Sequence, residues 1–164
     1  MSVLCEAPVE TLTHIAYAST ATTPFDADTL STLLAKARRT NRAADVTGML
    51  LHLQGNFFQT LEGPEDAVEA LYARISGDPR HRRVLPIIRE PIAARAFEGW
   101  TMGFAGVTRR QLATVPGLND FFQSDRSFHD LERGRAKRLL TAFRPGRWRA
   151  QQDALGVSTP FGIR

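Results

Sequence analysis

Tyr17, Gln59 and Trp100, polar or aromatic residues on strand faces that should look toward two helices, are the ones whose types and settings could do more than pack. Tyr17 lies in the run THIAYAST, where extended alternation puts Ile15, Tyr17 and Ser19 on one face and His14, Ala16 and Ala18 on the other, as in a half-buried strand. Gln59 shares a face with Phe57 and Leu61 in FFQTLEG, and Trp100 shares one with Met102 and Phe104 in segment 99–107. An inward glutamine on a central strand must satisfy an acceptor and two donor positions, so Gln59 demands specific partners if it is buried. Taken singly, each residue also has a plain role: a core tyrosine bonded to backbone, Asn41 as a left-handed helix C-cap, Trp100 and Met102 as packing. No glycine-rich phosphate loop, nucleophile elbow or paired-histidine motif marks an enzyme.

The elements that must position these residues follow from periodicity. Asp26 is a good N-cap, with Phe25 and Leu30 spaced as a hydrophobic staple. Leu30, Leu33, Leu34 and Ala37 then keep helical spacing, and Lys36, Arg38 and Arg39 crowd the end that favours cations, with Asn41 near the exit. Val46–Leu53 and FFQTLEG, separated by the turn residues 54–56, predict a β-hairpin. Gly63 and Pro64 open a second helix, Val68, Leu71, Tyr72 and Ile75 form its apolar stripe, and Gly77 closes it. Segments 84–92 and 99–107 predict two more strands, the first short, broken or at an edge because of Pro86 and Pro91. The order βαββαββ packs most simply as an α+β, ferredoxin-like sheet, mostly antiparallel, with both helices on one face. Beyond Thr108 the chain reads as a short helix ending near Gln123 and a longer one over 127–143. The longer one buries Phe128, Leu131, Leu139, Leu140 and Phe143, although Gly134 weakens it, and these helices should cover the other sheet face.

Composition bounds the function classes. The chain has 164 residues, 43% of them hydrophobic and 23% charged, which suits one sizeable core with a short appendage. No apolar run is long enough to span a bilayer, and the start of the chain lacks a basic and apolar leader, so a cytoplasmic setting without membrane contact is expected. One cysteine, Cys5, leaves no internal disulfide, and no Cys/His cluster has zinc spacing, so no metal is expected. The net charge of +4 is uneven: Arg133, Arg135, Lys137, Arg138, Arg144, Arg147 and Arg149 outnumber Asp130 and Glu132 in segment 126–149. Such a run fits the solvated face of a helix better than a nucleic-acid or acidic-protein contact.

The segments IAYAST, TNRAADVTGMLLH, GNFFQTLEG, DPRHRRV and FEGWTMGF, in this order and at these separations, closely resemble the BLUF domain, the sensors of blue light using flavin adenine dinucleotide. The resemblance runs from about Leu12 to Val107. It implies a photosensor domain over 11–107 with a C-terminal extension over 108–164 for cap and output. The cofactor it implies is non-covalent FAD, with FMN or riboflavin as alternatives, its ring between the two helices. Tyr17 would be the photochemical electron donor, Gln59 the switching amide, and Asn41 the hydrogen-bond partner of the ring's polar edge. Ser19 matches a small hydroxyl residue near the tyrosine, and Arg39, Arg80 and His81 would neighbour the ribityl or phosphate groups. Trp100 and Met102 would carry signal output. Thr40 departs from the histidine or asparagine that often precedes this asparagine in the family.

The same resemblance implies a mechanism in which blue light draws an electron from Tyr17, a proton follows through Gln59, and recombination leaves the amide rotated or tautomerised. A red-shifted signalling state would pass through the last strand to the C-terminal helices, with no catalytic residues and no turnover. Segment 108–164 is short for an attached cyclase or phosphodiesterase domain, so the expected partner is a separate output protein or a second copy in a homo-oligomer. The competing reading is a ferredoxin-like nucleic-acid-binding module using the basic C-terminal helix, although no exposed-aromatic strand motif supports it.

Overall fold

The computed structural model describes residues 11–24, 26–123 and 126–143. Cys5, the Phe25 half of the staple, and Arg144, Arg147 and Arg149 of the basic run lie outside the described residues, as does the rest of 144–164.

Strand β1, Leu12–Ala21, leads into helix α1, Ala27–Ala44. The carboxylate of Asp26 accepts from the Thr29 amide at 2.7 Å and so starts the helix. Its end is capped by Asp45 in the left-handed region (φ 59), leaving Asn41 one turn inside the helix with its side chain free of capping duty. Asn41 is therefore not the C-cap. Strands β2, Thr47–Leu53, and β3, Asn56–Pro64, form the expected hairpin. Gln54 and Gly55, both at positive φ, make a two-residue turn whose twist matches the strands. Helix α2, Glu65–Ser76, then leads to β4, His81–Ile92, and β5, Gly103–Gly106.

The sheet order is β4-β1-β3-β2-β5, antiparallel except where β5 runs parallel to β2. β4 is at the edge, where the missing N–H groups of Pro86 and Pro91 are tolerated. It is neither short nor interrupted: it pairs with β1 along its length through two register shifts, and Arg83 takes a positive φ of 53 at one of them. β5 begins four residues later than the alternation predicts, because residues 93–102 turn back on the sheet.

Both sheet faces are covered. Ile15, Tyr17, Leu50, Phe57 and Leu61 meet Leu34 of α1 and Val68 of α2 on one face. Ala16, Ala18, Met49, Leu51 and Phe58 meet Phe121, Phe122, Phe128, Leu131, Leu139 and Phe143 on the other. β1 is thus buried on both sides, and the half-buried expectation holds for no more than its ends. The cover is built from α3, Arg109–Leu112, short 3-10 turns at Phe121–Gln123 and Phe128–Asp130, and α4, Arg133–Phe143. The continuous helix expected from Ser127 breaks because Ser127 and Asp130 close a capping box and Leu131 turns extended to reach the core. Among the described residues, no helix is long and apolar enough to cross a membrane, and no group of three or more His, Cys, Asp or Glu could hold a metal ion.

Three cations of α4 serve this packing. Glu90 on β4 receives Arg133 and Lys137, each at 2.9 Å, and His14 at 3.1 Å, while Arg135 pairs with Glu132. Hydrogen bonds from Lys137 and His14 hold the Glu90 carboxyl below its ordinary range. A depressed carboxylate contributes stability that is present at neutral pH and is lost as pH falls through the folded value. Acidification below about pH 4.3 should therefore loosen α4. Glu90→Gln should remove that acid sensitivity at a cost of about 1 kcal/mol, read as pH-dependent amide exchange of residues 133–143.

Candidate functional site

α1 and α2 stand on the sheet with a cavity of about 220 Å³ between them. Leu33, Leu34 and Ala37 form one wall, Leu71 and Ile75 the other, and the sheet supplies a floor carrying Tyr17, Ser19, Leu50, Phe57 and Gln59. Helical phase places Leu33, Ala37 and Asn41 in line along α1, so Asn41 adds its amide at the inner end. Lys36, Arg74, Asp78, Arg80 and His81 line the same space and give it a charged margin.

Tyr17 and Gln59 face each other across the β1–β3 ladder, where they are paired residues. The Tyr17 hydroxyl donates to Gln59 Oε1, and Gln59 Nε2 donates to Met102 Sδ at 3.4 Å. Tyr17 is 1% and Gln59 8% exposed, and the buried amide has a phenol on its oxygen and a thioether on its nitrogen. Burial pushes the Tyr17 phenol far above its ordinary pKa, with the Tyr72 ring edge-on at 5.5 Å and the Asp78 carboxylate adding to the shift. The phenol therefore stays protonated through the neutral range. Arg80 holds the Asp78 carboxyl down at about 2, and burial pushes the His81 imidazole below its ordinary value against the pull of Asp78. Ser19 Oγ lies 3.2 Å from His81 Nδ1. Asn41 Nδ2 donates to the Thr101 carbonyl at 2.6 Å, and Arg38 Nε donates to the Met102 carbonyl at 3.0 Å.

Tyr17, Ser19, Asn41, Gln59, Arg80, His81 and Met102 are thus brought together around one cavity. Arg39 is not: two residues beyond Ala37 on α1, it points away from the lining face and is exposed. Lys36 and Arg74 take the cationic positions at the margin instead, and the helical phase of each could have found them. Trp100 does not share a face with Met102. It lies in the second-face cluster, its ring 5.8 Å from that of Phe97, while Met102 and Phe104 belong to the helix-face cluster. The alternation fails because Trp100 precedes β5, in a turn where its amide bonds the Phe97 carbonyl and its carbonyl accepts from the Gly48 amide at 2.9 Å. Gly103 makes room for the indole: a Cβ there would lie 2.5 Å from the ring. Gly103→Ala should displace Trp100 and destabilise the fold by about 1–3 kcal/mol, measured by denaturant unfolding together with tryptophan emission.

A flat aromatic ring with a hydrogen-bonding edge fits this cavity, whose walls are apolar and whose floor and inner end carry buried amides and a phenol. A family model described as sensors of blue light using FAD, BLUF, matches residues 12–103. The chain is 44% identical over 124 residues to a Euglena gracilis protein named photoactivated adenylate cyclase subunit beta, covering 74% of this chain and 14% of that protein. The chain therefore spans about a seventh of the length of that relative. Among solved structures, the dark state of BlrB, a BLUF protein, aligns at 28% identity with a TM-score of 0.64, covering 81% of this chain and 98% of that one. BlrP1 of Klebsiella pneumoniae aligns at 34% identity with a TM-score of 0.58, covering 80% of this chain and 32% of that one. With the family match extending over more than half of its length, this chain belongs to the BLUF family, the sensors of blue light using FAD.

Proposed function

We propose that this protein is a blue-light photoreceptor whose flavin, FAD in the first instance, is held non-covalently in the cavity between α1 and α2. The observation that carries the reading is the buried hydrogen bond from the Tyr17 hydroxyl to Gln59 Oε1, set in an apolar slot sized for an aromatic ring. Leu33, Ala37, Leu71 and Ile75 would grip the ring's faces and Asn41 its polar edge, with Ser19, Arg80, His81, Lys36 and Arg74 toward the tail. When bound, the flavin supplies blue absorption and a strongly oxidising excited state.

Tyr17 is the electron donor. Its phenol is kept neutral by burial, and its proton already points at the Gln59 carbonyl oxygen, so loss of an electron makes transfer of that proton along the same bond favourable. Gln59 is the switch, because its amide has two unlike ends placed between two unlike partners, the Tyr17 hydroxyl and the Met102 sulfur. Rotation or tautomerisation of that amide exchanges donor and acceptor without net chemistry, which makes the site a sensor with no product. The change reaches Met102 directly. From there the chain passes through β5 into α3 and the cover over the second face, so output runs through Met102 and the Trp100 turn.

The domain boundaries of this reading are 11–107 for the sensor and 108–164 for cap and output. The protein acts in the cytoplasm on a separate output protein or a second copy of itself rather than on a substrate. The nucleic-acid alternative loses support from α4, where Arg133 and Lys137 are engaged with Glu90 and Arg135 with Glu132. Purified protein should be yellow and should release one flavin per chain on acid precipitation, identified by chromatography. Failure to take up any of FAD, FMN or riboflavin would refute the reading.

A further inference from the structure

Glu62 lies on β3 three residues beyond Gln59, and strand alternation turns its side chain to the opposite face. It is 1% exposed, and a buried carboxylate without partners is costly. Its partners are specific. Glu62 Oε2 accepts from the Ala96 amide at 2.9 Å, and Oε1 accepts from the Phe97 amide at 2.6 Å and the Thr47 hydroxyl at 3.0 Å. Two successive main-chain donors meet the two oxygens of one carboxylate. Arg95, the residue before, donates to the Thr47 hydroxyl, to the Glu62 carbonyl and to the Asp45 carbonyl at the end of α1, and pairs with the Asp45 carboxylate at 3.1 Å.

These contacts fix where the chain enters the turn that carries Trp100 and Met102. Phe97 accepts from the Trp100 amide, Trp100 accepts from Gly48, Thr101 accepts from Asn41, and the Met102 sulfur meets Gln59. We infer that Glu62 is the positioning residue of the output segment, whose hold on the Ala96 and Phe97 amides seats Trp100 on the second face and Met102 against the Gln59 amide. The inference rests on the photoreceptor reading for its effect on signalling, and on the geometry alone for its effect on the segment. Glu62 thereby links the switch to the output on a single strand: Gln59 senses on one face of β3, and Glu62 holds the responding segment on the other.

Glu62→Gln keeps the size of the side chain but turns one acceptor oxygen into an NH2 group, so one of the two amides loses its partner. Glu62→Ala removes both. Amide hydrogen exchange, resolved by residue in the full-length protein kept dark, should rise several-fold at Ala96 or Phe97 in the first variant and at both in the second, with protection of β1 and β3 unchanged. Recovery after blue illumination should be about tenfold faster in Glu62→Gln, the rate equivalent of one lost hydrogen bond to a charged group. The assignment is overturned by amides as protected as in the parent, by a rise spread evenly through β1 and β3, or by lost protection with unaltered recovery. A parent protein that shows no light response at all would refute the photoreceptor reading, and the exchange at Ala96 and Phe97 would still decide whether Glu62 sets the segment.

Discussion

Tyr17→Phe is expected to abolish the light-induced shift while the protein stays folded and keeps its flavin. The substitution removes one oxygen and leaves the ring, its edge-on contact with Tyr72 and the cavity floor in place. What it removes is the donor to Gln59 Oε1, so the amide loses the partner that orients it, and the phenol's electron and proton are lost together. The stability cost should be about 1–3 kcal/mol, that of leaving a buried carbonyl oxygen unpaired. A residual shift of normal size in this variant, measured by difference absorption after blue illumination, would remove Tyr17 from the mechanism. The parent tyrosine adds a pH signature. Its folded pKa is raised, so the stability it contributes is fully present below the unfolded value near pH 10 and is lost as pH rises from there toward the folded one. Photoconversion should therefore show no phenol titration at neutral or mildly alkaline pH.

The largest effect on folding is expected from Gly48→Ala. A Cβ at Gly48 would lie 2.0 Å from the main-chain carbonyl oxygen of Thr60, on the neighbouring strand of the hairpin. Backbone in the middle of a sheet cannot step aside as a side chain could, so the strand pair itself must open. The Gly48 amide also bonds the Trp100 carbonyl, so the same shift disturbs the output turn. A loss of about 3 kcal/mol or more is expected by denaturant titration, enough to leave little folded protein if the parent is of ordinary stability. Near-parental stability would contradict so close an approach of β2 and β3 at Gly48.

Much of this was legible from local pattern. Alternation finds the strand that carries Tyr17 and the one that carries Gln59, the Asp26 cap and Leu33–Ala37 spacing find the first helix, and the need to bury the sheet's second face assigns the C-terminal helices, with apolar residues at 128, 131, 139, 140 and 143, as its cover. The α+β, ferredoxin-like arrangement followed from element order, because two helices and five strands have few ways to bury one face each. What failed did so where tertiary contacts overrule local period. Trp100 and Met102 are two residues apart and would share a face in a strand, yet the Glu62 carboxylate and the Gly48 amide hold the chain in a turn there. Asn41 looked able to cap α1 because nothing in its neighbourhood reveals that Asp45 takes the left-handed position. The resemblance puts Arg39 near the flavin's tail, whereas helical phase sends it outward. Glu62 escaped notice because a glutamate in a strand reads as a solvent-facing residue until the segment folded over it is seen. The roles of Tyr17 and Gln59 came from resemblance. No spacing rule says that a phenol and an amide on facing strands make a light switch.

The measurement that tests the central claim most directly is the visible absorption spectrum of the flavin-loaded protein before and after blue illumination, followed through dark recovery, in the parent and in Gln59→Leu. The account predicts a reversible red shift without bleaching in the parent and its complete absence in Gln59→Leu, with flavin still bound. A parent whose bands bleach or do not move, or a Gln59→Leu protein that shifts and recovers as the parent does, would contradict it.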